Sequence, residues 1–290
     1  TNPLKYFLNT RLGIYLEKEA ESPETSENFR LKGLERYEAG QAFVHADRET
    51  RPSEELMTLF KARGILPPER VGEHDFTEMS LEADELVSRM HTWTRKKEPR
   101  EQSISLQVGD FTIQGFVSDV YDHAMVYTRF ARFNPRDLVR CWIAHLQLCA
   151  GTVPKTRFSR SVYLCKEISG VFSPPDIPRD LLEHLLQHYW QGLFSPLPFY
   201  AKTAYEYARA SLIQDKPKKA ALAAAYGVLH GNRYSPGEIE EPYMNFYFDA
   251  PVLLDEMFEH TALRLFKPLF KHYMSTPINP LLKLKDTKHL

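Results

Sequence analysis

The sequence predicts a mixed α/β fold, an α+β arrangement with a small sheet inside a large helical shell. Three observations carry that expectation. Apolar residues recur at helical spacing from Leu4 to Met90. The period drops to two between Ile104 and Val117. Helical spacing then returns after Pro174 and Pro175.

Asn2 can cap a first helix with Pro3 at its first position, and Leu4, Phe7, Leu8 and Leu12 share one face. Glu17 to Asn28 is polar and predicts a surface loop. Leu34, Tyr37, Gln41 and Val44 repeat the helical spacing. Ser53 can start a third helix bearing Leu56, Leu59 and Phe60, which Gly64 can close. Met79, Ala83, Leu86 and Met90 mark a fourth, and Arg95 to Glu101, with Pro99, is a connector. Ile104, Leu106 and Val108 then alternate with polar residues, Gly109-Asp110 can turn the chain, and Phe111, Ile113, Gly115 and Val117 alternate again. That is a hairpin signal. Met125 to Ala131 predicts a third strand, Asn134-Pro135 a new helix carrying Leu138, Trp142, His145 and Cys149, and Ser161 to Cys165 a fourth strand. Leu182, Leu185, Leu186, Tyr189 and Leu193 form a stripe, Lys216 to Leu229 is an alanine-rich helix former, and Leu253 to Tyr273 is a last helix containing Pro268. The expected division is a helical part over 1–102, a sheet core over 103–170 with its helix at 135–150, and a helical part over 171–290, all in one compact domain.

Composition narrows the functions. The 290 residues carry a formal net charge of −1, so nucleic acid contact would need local patches rather than a global field. Three cysteines, Cys141, Cys149 and Cys165, make no disulfide framework and suit a reducing cytoplasm. No apolar run is long enough for a membrane span. A chain that opens on Thr1 and runs straight into an amphipathic pattern is expected to be part of a longer polypeptide.

Most catalytic constellations are missing. There is no Gly-x-Ser-x-Gly elbow, no P-loop and no dinucleotide fingerprint. His184 and His188 are four apart but lack the Glu of a zincin, and no third ligand is evident. His145 lies on an apolar stripe and is expected in the core.

The order helix, strand, strand, strand, helix, strand is that of the restriction-endonuclease-like, or PD-(D/E)xK, nuclease core (αβββαβ). More specific strings occur in order along the chain. They are Asn2 to Leu8 with Arg11-Leu12-Gly13, Leu31 to Tyr37 with Gln41, Ala62 to Pro67 with Gly72-Glu73, and Thr112 to Phe116. Trp142, His145-Leu146, Cys149-Ala150, Gly192, Pro196-Leu197, Lys219-Ala220 and Tyr226 come next. Together they resemble the carboxy-terminal domain of RecC proteins, the gamma chain of exodeoxyribonuclease V. The resemblance implies a bacterial cytoplasmic, non-motor subunit that works beside RecB-like and RecD-like subunits on broken double-stranded DNA ends. It implies a nuclease-like domain without nuclease chemistry, with Mg²⁺ and ATP used by the partners and no cofactor in this chain.

The nuclease motif can be tested residue by residue. An active site of this kind needs an aspartate on the second core strand and an acid-x-lysine triplet on the third, to hold Mg²⁺ through oxygen ligands. Here Gly115-Phe116-Val117 leads to Ser118, and Asp119 comes one residue late, on the opposite face of an ideal strand. The triplet would be Tyr127-Thr128-Arg129, a tyrosine where an acid is needed and an arginine for lysine. No catalytic or metal residue is therefore expected, and the resemblance favours a module that docks partners and guides DNA strands. The alternatives are an active Mg²⁺-dependent nuclease, with the motif in another register, and a purely structural helical interaction domain. Candidate contacts to DNA or to a partner are Arg129, Arg132, Arg136 and Arg140, with Lys155, Arg157 and Arg160 as a second cluster.

Overall fold

The computed structural model describes residues 3–16, 31, 33–48, 53–151, 160–233, 235–247 and 254–277. Among the described residues, four α-helices precede the sheet: α1 (Pro3–Tyr6), which runs into a π-helical turn over Phe7–Arg11, α2 (Gly33–Arg48), α3 (Ser53–Ala62) and α4 (Glu69–Thr94). Helix α3 ends where a glycine permits it. Gly64 takes φ +64, its N–H donates to Lys61 O at 3.1 Å, and Ile65 N–H donates to Phe60 O at 3.0 Å. This pair of bonds satisfies two end carbonyls. On α4 the stripe Met79, Ala83, Leu86 and Met90 is fully buried.

Strands β1 (Arg100–Val108) and β2 (Phe111–Val120) form the hairpin, closing at Val108 opposite Phe111 with Gly109 at φ +54. β3 (Ala124–Thr128) pairs antiparallel with β2. The chain then crosses through α5 (Pro135–Gly151) to β4 (Arg160–Leu164), which lies parallel to β3. Asn134 starts α5 by accepting from Arg136 N–H at 3.0 Å, with Pro135 at the first helical position. β5 (Ile168–Phe172) turns back antiparallel to β4. Then come α6 (Pro178–Gln191), α7 (Ala201–Leu212), α8 (Lys218–His230), the short pair β6 (Gly231–Asn232) and β7 (Ser235–Pro236), α9 (Pro242–Tyr247), α10 (Glu256–His272) and β8 (Tyr273–Pro277). Asp255 caps α10 by accepting from Phe258 N–H at 2.9 Å. The mixed sheet has the order β1-β2-β3-β4-β5-β8.

Each face of the sheet carries its own core. Val126, Val162 and Leu164 point into a cluster built from α2, α3 and α4 around Phe43, Phe60 and Met79. Met125, Tyr163 and Cys165 point the other way, into a cluster with Leu138, Trp142, Phe172, Phe258 and Phe266. Successive residues of a strand face opposite sides, so β3 and β4 carry apolar residues on both faces, over 124–127 and 162–164, because both faces are covered. His145 sits in the second core with no exposure. It packs against both Trp142 and Phe172, which also touch each other, with Nδ1 at 2.8 Å from Ser161 Oγ and Nε2 at 3.2 Å from Ser173 O. Among the described residues no helix is long and apolar enough to cross a membrane.

Several expectations need correction. Leu12, placed on one face with Leu4, Phe7 and Leu8, and Leu34, placed at helical spacing with Tyr37, Gln41 and Val44, are 53% and 69% exposed. Leu12 lies past the end of the π-helical turn, at its C-cap, and α2 buries Ala39, Phe43 and Val44 instead of Leu34. Within the stripe from Leu182 to Leu193, Tyr189 is half-exposed. The third strand stops at Thr128, not Ala131. The sequence pattern does not predict β5, and the part after Pro174 is not wholly helical, because β6, β7 and β8 lie in it and β8 completes the main sheet. β8 depends on a distant partner: Tyr273 packs over Gly170, where any side chain would collide with its phenol ring. Asn2 and the loop from Glu17 to Asn28 lie outside the described residues.

This packing has two measurable consequences for stability. Phe130 lies directly on Gly40 of α2, so a Cβ there would overlap the ring. Alanine is worth about 1 kcal/mol to a helix interior over glycine, but overpacking costs about 1–3 kcal/mol, and the clash wins because Phe130 is itself buried. Gly40→Ala should therefore lower the urea midpoint, and a raised midpoint would show that Phe130 moves freely. Burial also pulls His145 down from its ordinary value to about 4. The folded pKa is then below the unfolded one of about 6.5, so the unfolded chain binds the extra proton. Stability is full above about pH 6.5 and falls as pH drops towards 4, by up to roughly 3 kcal/mol. Melting temperature measured across that window should fall less steeply in His145→Gln than in the parent chain.

Candidate functional site

The candidate site lies where β3 leaves the sheet and α5 begins. The neighbouring antiparallel strand β2 is bulged near its end. Gln102 pairs with Val117 and Arg100 with Val120, so Ser118 and Asp119 together face the single residue Glu101. Asp119 takes φ +57, the left-handed conformation that bulges use and that Asp tolerates. The extra residue lets Val117 and Val120, three apart, both face the core. The simple alternation expected for Asp119 therefore does not apply. Ser118 is exposed and Asp119 half-buried.

On β3, Tyr127 stacks on Tyr163 at 6.0 Å and donates to Asp137 Oδ1 at 3.4 Å. Burial raises the Tyr127 pKa, and the Asp137 carboxylate adds to the rise, so the phenol stays protonated. Arg129 Nη1 lies 3.7 Å from the same Asp137 oxygen, and its guanidinium covers the Tyr37 ring at 4.6 Å. Burial alone would lower the Arg129 pKa, but Asp137, Tyr37 and Tyr127 outweigh it and the net shift is upward. Arg140 Nη1 completes the cluster at 3.3 Å from Asp137 Oδ1. Asp137 is 4% exposed and sits in the first turn of α5, where the helix end favours a carboxylate.

Asp137 is not among the sequence candidates. The signal for it is an acid just after the Asn134-Pro135 helix start with Arg140 three residues on, a spacing that puts both on one helix face. The structure brings Tyr127, Arg129 and Arg140 together on it. The other cations go elsewhere. Arg136 donates to Glu238 at 3.1 Å and Glu241 at 2.6 Å, and the second Glu238 oxygen accepts from Thr203 N–H at 2.8 Å, so Arg136 straps α5 to the start of α7. The Arg132 side chain is 88% exposed, 3.7 Å from Glu167. Arg160 stands at the opposite end of the β3–β4 pair, over the Trp93 ring at 6.0 Å. Lys155 and Arg157 lie outside the described residues.

Metal ligands do not converge at Ser118, Tyr127 and Arg129, whose side chains are a hydroxyl, a phenol and a guanidinium. Among the described residues the one trio within ligand distance is His74, Asp75 and Glu78 on α4, and there Asp75 Oδ2 already accepts from Leu31 N–H at 3.1 Å.

Asp137→Ala should lower stability by about 2–4 kcal/mol, because it leaves Arg129 partly buried without its counter-charge. Asp137→Asn should cost less, since its amide oxygen can still accept from Tyr127. Equal urea midpoints for Asp137→Ala and the parent chain would show that the cluster contributes nothing.

A family model described as the RecC C-terminal domain matches residues 1–212. The chain is 26% identical over 225 residues to RecBCD enzyme subunit RecC of Escherichia coli strain K12, a match covering 74% of this chain and 19% of that relative. It is 23% identical over 155 residues to RecBCD enzyme subunit RecC of Haemophilus influenzae, covering 51% of this chain and 14% of the relative. For the subunit of the same name from Mycolicibacterium smegmatis the figures are 26% over 166 residues, 55% and 15%. These matches span less than a fifth of the relatives' length. With most of its length matched by the family model, the chain belongs to the RecC C-terminal domain family.

Proposed function

We propose that the chain is a nuclease-like module without nuclease chemistry, in a RecC-like subunit of a DNA-repair helicase-nuclease. In this role it docks RecB-like and RecD-like subunits and guides DNA strands. The order α4-β1-β2-β3-α5-β4 supports descent from the PD-(D/E)xK core, with β5 and β8 added beyond it. The segments 1–102, 103–170 and 171–290 act as one unit on this reading, because the first and last supply the cores on the two faces of the shared sheet.

The observation that carries the proposal is the charge balance around Asp137. One carboxylate faces two guanidiniums, those of Arg129 and Arg140. The cluster is net cationic, and Arg132 stands exposed on the turn between them. Such a site repels Mg²⁺, which needs several oxygen ligands, and attracts phosphate or an acidic protein surface. A metal-dependent nuclease would need the opposite balance. Mg²⁺ and ATP then belong to the partner subunits, and this chain binds neither.

The test uses the purified chain with labelled single-stranded and forked DNA. No Mg²⁺- or Mn²⁺-dependent degradation is expected. Forked-DNA binding should weaken with salt, and replacing Arg132 and Arg140 with alanine should reduce the slope of log affinity against log salt by about one to two. Cleavage that disappears in Asp119→Ala would instead establish a working metal site. If the Arg132→Ala, Arg140→Ala chain matches its parent in DNA affinity and in co-purification with partner subunits, this face neither guides strands nor docks proteins.

A further inference from the structure

The helical layer of α2, α3 and α4 contains a buried acid with little to offset its charge. Asp75 of α4 is 2% exposed. Its Oδ2 accepts from Leu31 N–H at 3.1 Å, just before α2 begins. Among the described residues the one cationic side chain within ion-pair distance is His74, which is 71% exposed and whose Nδ1 lies 4.0 Å from Asp75 Oδ1. No described group donates a hydrogen bond to that Oδ1. A buried carboxylate is costly unless it is paired and hydrogen-bonded, so the side of Asp75 that faces His74 is where a further positive charge is wanted.

Helical spacing brings up a third donor. Glu78 follows His74 by four residues and Asp75 by three, so it neighbours both on the helix surface. One ligand atom from each of the three lies within 4.8 Å of the others. Ligand atoms about 2.0–2.2 Å from a zinc ion stand roughly 3.4 Å apart in a tetrahedron. The trio closes to that spacing by turning His74 and Glu78, both exposed, while Asp75 stays where Leu31 N–H holds it. A bond of that kind, behind a ligating carboxylate, orients it for a metal. Arg36 of α2 does not block the movement. It lies 3.8 Å from Glu78 but 3.2 Å from Glu82, and keeps the nearer partner.

We propose that His74, Asp75 and Glu78 bind a divalent transition-metal ion of the zinc class, with water completing its coordination. Two carboxylates balance the charge of such an ion, and the neutral imidazole selects its class. Mg²⁺ takes oxygen ligands in a strict octahedron, whereas zinc accepts a nitrogen beside two carboxylates. The site shares no residue with the Asp137 cluster, and it goes beyond the docking reading. Its role is structural. Leu31 belongs to the same core as Phe43, Phe60 and Phe76, so an ion at Asp75 fastens the entry to α2 onto α4 and tightens the layer that covers one face of the sheet. His184 and His188 are a weaker rival. They offer two imidazoles, and His188 Nδ1 is already engaged 2.7 Å from His184 O.

The test is calorimetric titration of the full chain with Zn²⁺, in the presence and absence of excess Mg²⁺, together with zinc-edge X-ray absorption of the loaded protein. His74→Ala and Glu78→Gln change exposed side chains and leave the buried acid in place, and the double variant His184→Ala, His188→Ala serves as the control. The expected result is one ion per chain, bound in the micromolar range and not displaced by Mg²⁺. Its absorption spectrum should show one imidazole, oxygen ligands and no sulfur. Affinity should fall by about tenfold or more in each of the first two variants and stay unchanged in the control. It should also weaken as the pH drops from about 7.5 to about 5.5, because an imidazole must be neutral to ligate. Zinc should raise the melting temperature of the parent chain and not that of His74→Ala. Binding no tighter than millimolar, binding that survives both His74→Ala and Glu78→Gln, loss of binding in the control, or a spectrum with sulfur or two imidazoles would each overturn the proposal.

Discussion

The parallel contact between β3 and β4 governs the architecture. Parallel neighbours cannot be joined by a tight turn, so the chain must cross over, and α5 is the element that does it. The crossover covers one face of the pair. The residues on the other face, Val126, Val162 and Leu164, are equally apolar and need a second cover, which α2, α3 and α4 provide. The two-sided shell is thus a consequence of two short strands whose side chains are buried on both sides. The flanking strands β2, β5 and β8 are antiparallel and extend a sheet whose centre is already determined.

The same crossover builds the candidate site. β3 delivers Tyr127 and Arg129, the chain turns at Asn134-Pro135, and the first turn of α5 brings Asp137 back over Tyr127. Helical periodicity then sorts the arginines. Arg140, three residues after Asp137, returns to the same face, while Arg136, one residue before it, points away to Glu238 and Glu241. Residues that form one basic cluster in the linear sequence therefore do different work. Arg136 braces the start of α7, Arg129 and Arg140 neutralise a buried acid, and Arg132 is left mostly in solvent.

The family match ends at Leu212, the last residue of α7. The chain beyond Leu212 is nonetheless part of the same structure. Phe258 and Phe266 of α10 are fully buried in the core that contains α5, and β8 closes the sheet against β5.

The central elements are legible in the linear sequence. The α4 stripe, the Gly109-Asp110 hairpin, the Asn134-Pro135 helix start and the strand at Ser161 are local patterns, and local patterns follow from spacing and backbone preference. Residue types alone show that Ser118, Tyr127 and Arg129 supply no pair of metal-binding acids. Other features come from contacts between distant segments. The bulge at Ser118–Asp119 depends on the pairing with β1, which sets how many residues oppose Glu101. β8 exists because Gly170, about a hundred positions earlier, leaves room for Tyr273. The importance of Asp137 is hidden in the sequence because its partners Tyr127 and Arg129 come from a different element, and the strap from Arg136 to Glu238 spans most of the remaining chain. Side-chain charge is written in the sequence, but which charges meet is set by where the backbone crosses.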